Sequence, residues 1–158
     1  MSLESVRAFL AERAPDIAII DQDASTATVA EAAATLGVEP GRIAKTLSIR
    51  VGERVMLIVA RGDARLDNAK SKAAFGGRPR MLGAEEVEAL TGHKVGGVCP
   101  FGLATPLPVY CDVSLRDFDE IYPAAGSRTA SVRLTPERLA ELVNAEWVDV
   151  CKAGETTD

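Results

Sequence analysis

Lys45-Thr46-Leu47-Ser48-Ile49-Arg50-Val51-Gly52-Glu53-Arg54-Val55-Met56-Leu57-Ile58-Val59 decides the fold class. The first seven residues alternate, so Leu47, Ile49 and Val51 share one face of a strand. Gly52-Glu53 is a two-residue loop with glycine first, which suits a type II′ hairpin turn. The returning run is apolar throughout and predicts a central strand covered on both faces. Lys45 falls on the side of Leu47 and Ile49, the expected core side. A lysine is rarely buried without a partner. It either snorkels to water from the strand's start, or stands as a cation at a cavity rim, aimed at a carbonyl or phosphate oxygen.

Upstream, the spacing predicts a helix over 3–13, capped by Ser2, with Leu3, Val6 and Leu10 inward. Residues 17–20 suit a short strand. Thr28 and Glu31 form a capping box. The helix it opens carries a Val29, Ala32, Ala33, Leu36 stripe and ends at Gly37. Pro40 starts a turn. Downstream, Asp67 caps a helix over 68–75 that Gly76-Gly77 ends. Short strands are expected at 80–82, 107–113, 121–125, 129–134 and 147–150. A helix spans 84–91, with Val87 and Leu90 inward, and one helical turn 114–118. Thr135-Pro136 opens a last helix with Leu139, Leu142 and Val143 inward. Residues 153–158 read as a frayed tail. Strands and helices interleave irregularly, which predicts one α+β domain over 1–158 with a mixed sheet.

Hydrophobic residues make up 47% of the 158 and aromatics 4%, so the core is expected to be aliphatic. No apolar run approaches a membrane span, and no signal peptide is recognisable. The three cysteines, Cys99, Cys111 and Cys151, have no metal-like spacing, which suits a reduced, cytoplasmic protein. The net charge of −5 argues against a general nucleic-acid binder, yet residues 42–94 carry a local +5. That block is either a phosphate-binding face or a set of solvated charges.

The chemistry concentrates in Gly92-His93-Lys94-Val95-Gly96-Gly97-Val98-Cys99-Pro100-Phe101-Gly102, which holds four glycines and the only histidine. Such a stretch is either a tight bend or a loop offering bare N–H groups to an oxygen. His93 is a base, an orienting donor or simply a loop residue; with no second histidine it suggests no metal. Cys99 offers a thiol nucleophile with His93 as base, but nothing obvious orients His93. Cys111 reads as core. Asp112, Asp117, Asp119 and Glu120 read as a solvated acidic face. Gly126-Ser127 is a hairpin turn or a second source of an N–H and a hydroxyl. No P-loop signature is present.

Three motifs in order resemble the YbaK/ProX family: Ile43-Ala44-Lys45-Thr46-Leu47, then Gly96-Gly97-Val98-Cys99-Pro100-Phe101-Gly102, then Ile121-Tyr122-Pro123-Ala124-Ala125-Gly126-Ser127. The resemblance covers residues 3–150. It implies an α+β fold around a mixed, partly barrel-like sheet flanked by helices, as in the editing domain inserted in bacterial prolyl-tRNA synthetases. It also implies a free-standing trans-editing deacylase. The ester hydrolysed would be that of a mischarged tRNA, such as proline tRNA carrying alanine, cysteine or serine.

Lys45 matches the family's key lysine, with Thr46 beside it, and would hold a phosphate or the ester. Gly96, Gly97, Val98 and Pro100 match its G-x-x-x-P loop, with Gly97 at the centre of the oxyanion site. Gly126 matches a glycine in a second substrate-lining loop, Ala124 and Ser127 fall at positions of that loop that vary between subfamilies, and His93 and Ser127 would line the pocket. A water would attack, helped by the tRNA's own ribose hydroxyl. No cofactor and no metal are implied. The expected partners are the tRNA acceptor end and a prolyl-tRNA synthetase, with a monomer as the default state. The rival readings are a non-catalytic aminoacyl-tRNA or nucleotide-binding module and a cysteine hydrolase built on Cys99.

Overall fold

In the computed structural model, which describes residues 2–153, the elements run α1 (Ser2–Arg13), β1 (Ile20–Asp21), α2 (Val29–Leu36), β2 (Ile43–Val51), β3 (Arg54–Arg61), β4 (Ala64–Leu66), α3 (Asn68–Phe75), β5 (Arg80–Met81), α4 (Ala84–Thr91), β6 (Val109–Asp112), β7 (Tyr122–Pro123), β8 (Ala130–Ser131), α5 (Pro136–Val143), β9 (Glu146–Val148) and β10 (Cys151–Ala153). Strands β2 and β3 pair antiparallel, from Ala44 opposite Arg61 to Val51 opposite Arg54. Gly52 has φ +61° and Glu53 is not in the positive region, the pattern of a type II′ turn.

The main sheet runs β5-β2-β3-β6-β9, with β7 beside β2. Contacts β2–β3 and β2–β5 are antiparallel; β2–β7, β3–β6 and β6–β9 are parallel. The sheet is therefore mixed. Its path has two ends, so it is open rather than closed into a barrel.

Strand β3 is central and buried on both faces, as its unbroken apolar run requires. Leu57 and Val59 enter one core with Val6, Leu10, Phe101 and Leu139. Met56, Ile58 and Ala60 enter a second core with Ile49, Val51, Phe75 and Val150. Each large side chain so buried stabilises the fold by roughly 1.5–3 kcal/mol. Helix ends follow local chemistry: Thr28, Asp67 and Thr135 accept at N-caps from Glu31, Lys70 and Arg138 N–H groups. No helix among the described residues is long and apolar enough to cross a membrane.

Several elements depart from expectation. Ser2 lies inside α1, and its hydroxyl goes to His93 and Gly126 rather than to a cap. The strand expected at 17–20 shrinks to Ile20–Asp21, paired with β8. The strands at 121–125 and 129–134 reduce to two residues each, helped by the single bridges Ile121–Leu134 and Ala124–Ser131. Strand β4 has no clear sequence signal. It pairs with β10, which draws Ala153 out of the expected tail; residues 154–158 lie outside the described residues. Asp112 leaves the acidic face altogether: it is buried and accepts from the N–H groups of Ser114 and Val150.

Candidate active site

The even residues of β2 place the site. Ala44, Thr46 and Ser48 share a face, and over it opens a cavity of about 350 Å³. Thr28, Val29 and Ala32 from the start of α2 form one wall, Gly96 and Val98 another, and Tyr122, Ala124 and Ser131 a third. The positive end of a helix thus faces a space floored by small hydroxyl residues. The hydroxyl oxygen of Thr46 is enclosed and has no hydrogen-bond partner among the described residues. A buried hydroxyl left unpaired costs about 1–3 kcal/mol unless something satisfies it.

The glycine loop is a tight turn with a purpose. Gly97 N–H donates to the Lys94 carbonyl (2.9 Å), closing a four-residue turn whose third residue, Gly96, has φ +101°. Turns that need positive φ at the third residue select glycine there. Gly97 cannot carry a side chain either: a Cβ would lie 2.7 Å from Ser127 N. That close approach lets Gly126 N–H donate to the Gly97 carbonyl (3.0 Å) and ties the two loops together.

The arrangement corrects the role expected of Gly97. Its N–H is spent in the turn, so it donates nothing to the cavity. The N–H groups of Gly96 and Val98, whose residues do line the cavity, make no hydrogen bond among the described residues. These two are the candidate oxyanion donors. Pro100 is buried beyond the loop. Gly126 is buried behind Gly97, and the half-buried Ser127 turns its hydroxyl to Thr129.

Two further expectations change. Lys45 belongs to the stretch that lines the cavity, and alternation sets its side chain on the opposite face, across from Ala60. Its ammonium donates to the carbonyl of Ala64, and burial pushes its pKa down. His93 does not line the cavity. It is fully buried, with Nδ1 2.6 Å from Ser2 Oγ, Nε2 2.7 Å from the Phe101 carbonyl and Cys99 Sγ 3.6 Å from Nε2. Its backbone is pinned by Thr91, whose hydroxyl accepts from His93 N–H and closes α4. Burial pushes Cys99 up to about 12, so its thiol is a core group rather than a nucleophile.

Sequence reasoning missed the α2 wall and Ser131. The capping box at Thr28 located the helix start, but not what that start would face. The site's glycines and the β2 motif were legible.

The profile of the aminoacyl-tRNA editing domain matches residues 23–142, which include every wall of this cavity. The chain belongs to the aminoacyl-tRNA editing domain family. Uncharacterized protein YwhH of Bacillus subtilis is 49% identical over 98% of this chain and 100% of its own length. An Enterococcus faecalis protein provisionally named Cys-tRNA(Pro)/Cys-tRNA(Cys) deacylase EbsC is 34% identical over 80% of this chain and 76% of its own length. A crystal structure provisionally described as a trans-editing enzyme for prolyl tRNA synthetase superposes with a TM-score of 0.87. It has 36% identity and covers 96% of this chain and 98% of that one. The editing-domain fold and the α+β class are thus those of this chain.

Proposed function

We propose that this editing-domain protein is a trans-editing aminoacyl-tRNA deacylase. The observation that carries the reading is the pair of N–H groups, Gly96 and Val98, unpartnered among the described residues, beside a cavity whose lining holds no Cys, His, Asp or Glu among those residues. Ester hydrolysis develops negative charge on the carbonyl oxygen. Backbone donors fixed in a turn stabilise that charge without reorganising. A water attacks the carbonyl carbon, the tRNA's ribose hydroxyl assists, and the ester oxygen leaves with a proton.

The amino-acid side chain enters between Ala32, Ala124 and the β2 hydroxyls. About 350 Å³ suits a small residue such as alanine, serine or cysteine. Proline tRNA carrying one of these is the proposed substrate, and a prolyl-tRNA synthetase the proposed source of the error. A synthetic site separates residues differing by one methylene by only about 1–3 kcal/mol, which is why a second, hydrolytic site is useful. Lys45 serves as a positioning group: it supports β2 from behind, and its ammonium reaches substrate only by leaving the Ala64 carbonyl.

The test is a deacylation panel. Proline tRNA charged with alanine, cysteine, serine and proline is incubated with wild type and Lys45→Ala, and ester loss is followed. Accelerated, Lys45-dependent loss of one mischarged species is expected. Saturable binding without ester loss on any of them would move the reading to a binding module.

A further inference from the structure

The site loop is tied to the N-terminal helix through the protein's single histidine. The Phe101 carbonyl meets His93 Nε2 at 2.7 Å, His93 Nδ1 meets Ser2 Oγ at 2.6 Å, and Ser2 Oγ reaches the Gly126 carbonyl. Gly126 N–H in turn holds Gly97. The packing leaves no slack: a Cβ at Gly126 would lie 2.7 Å from the Ser2 carbonyl oxygen.

Counting hydrogens shows what this chain of contacts does. Three contacts need three hydrogens, and both end carbonyls can only accept. A neutral imidazole and one hydroxyl supply two. Either neutral tautomer leaves one contact unpaired; without the Nε2 hydrogen the Phe101 carbonyl would keep only the Cys99 thiol, a weak donor 3.8 Å away, so the ring carries its hydrogen on Nε2. Nδ1 then competes with the buried Gly126 carbonyl for the one Ser2 proton, so Ser2 cannot satisfy both contacts. When the ring gains a proton, Nδ1–H donates to Ser2 Oγ and the Ser2 proton passes to Gly126.

We propose that His93 and Ser2 form a proton-coupled positioning relay that sets the Gly126–Gly97 contact behind the oxyanion turn. The relay acts on the site through backbone alone, since His93 is walled off from the cavity. The surrounding charges leave it undisturbed. Glu4 and Arg7 on α1, Glu85 and Glu88 on α4, Lys94 and Arg128 are exposed, and Glu86 is half-buried. Cys99 is the titratable group in contact, and no ionised side chain contributes to the ring's shift, which burial sets downward.

One histidine means one pair of ring nitrogen signals, so the relay is directly readable. Nitrogen NMR of the labelled protein is expected to show a neutral Nε2–H ring at pH 7.5. As the ring titrates in acid, the Ser127 amide, which reports on the Gly126 carbonyl, is expected to shift with the same midpoint. In Ser2→Ala the ring still titrates and the Ser127 shift disappears. An Nδ1–H ring, a Ser127 amide that ignores the ring, or one that follows it equally in Ser2→Ala would each overturn the relay.

The kinetic arm rests on the deacylase reading. It expects Ser2→Ala to lower kcat about fivefold, the scale of one hydrogen bond, with KM within about twofold. A kcat unchanged in Ser2→Ala, with the NMR coupling present, would refute positioning of the reaction while leaving the relay intact. A protein with no deacylase activity at all would fail the functional reading and leave the NMR test standing.

Discussion

Thr46 carries the sharpest expectation at the scale of one residue. Its hydroxyl oxygen is enclosed and has no partner among the described residues, yet the residue floors the cavity. Thr46→Val keeps the shape and removes the hydroxyl. Chemical denaturation should show the variant as stable as wild type or up to about 1 kcal/mol more stable, because no hydrogen bond is lost. The deacylation panel should show altered preference between serine and alanine esters. Unchanged preference would mean that the hydroxyl does not read the substrate. His93 makes a second prediction. Burial holds its pKa below the usual 6.5, so the unfolded chain takes up the proton more readily. That contribution to stability is complete above about pH 6.5 and is lost as pH falls toward the folded pKa. The slope is at most about 1.4 kcal/mol per pH unit. Thermal melts from pH 7.5 to 5 should show the decline, and His93→Gln should flatten it.

Elements divide into those dictated locally and those dictated by partners. The β2–β3 hairpin was legible because alternation, a glycine-first loop and an unbroken apolar run all agree. Helices α2 and α3 were legible through caps and terminal glycines, α5 through its Thr135 cap and Pro136, and α4 through its inward Val87 and Leu90. The strands β4 and β10 were not, since each is three residues long and exists only by pairing with the other. The site shows the same division. The glycine loop announced itself, but which of its N–H groups faces the cavity depends on a turn that sequence alone does not orient. Lys45 was placed on the correct side of its strand by alternation. The cavity proved to lie on the other side, which only the packing of α2 against β2 decides. Two glycines test the difference between scaffold and site. Gly52→Ala puts a side chain at φ +61° with open space around it, and should cost about 1 kcal/mol without altering kcat. Gly97→Ala drives a Cβ into the Ser127 backbone at 2.7 Å and should separate the loops, lowering kcat/KM about 100-fold. Denaturation and deacylation measured on both variants check the contrast. Equal loss of activity in the two would show that the loop acts only through global stability.

Charge is a property of the whole molecule, and the structure sorts the basic block of residues 42–94. Arg42 pairs with Asp119, Arg50 with Glu86, Arg61 with Asp63 and Asp117, and Lys70 with Asp149. Those cations hold the fold's edges together and are partly neutralised. Arg80 and Lys94 are exposed and form no ion pair among the described residues; nor does Arg128, which stands against Gly96. They flank cavity-lining Met81, Val95 and Gly96. Three cations without an ion pair among the described residues thus stand at the cavity mouth, where the phosphates of an acceptor end would pass, while Lys72, Arg78 and Lys152 are exposed elsewhere. Each phosphate contact contributes roughly 0.7–0.9 to the slope of log affinity against log salt. Lys94→Gln and Arg128→Gln should each raise KM for mischarged tRNA and lower that slope by nearly one, with kcat little changed. Lys152→Gln is the control, because Lys152 sits on β10 and lines none of this cavity. If the control lowers the slope as much as Lys94→Gln does, the nucleic acid is drawn by diffuse charge rather than docked at the mouth.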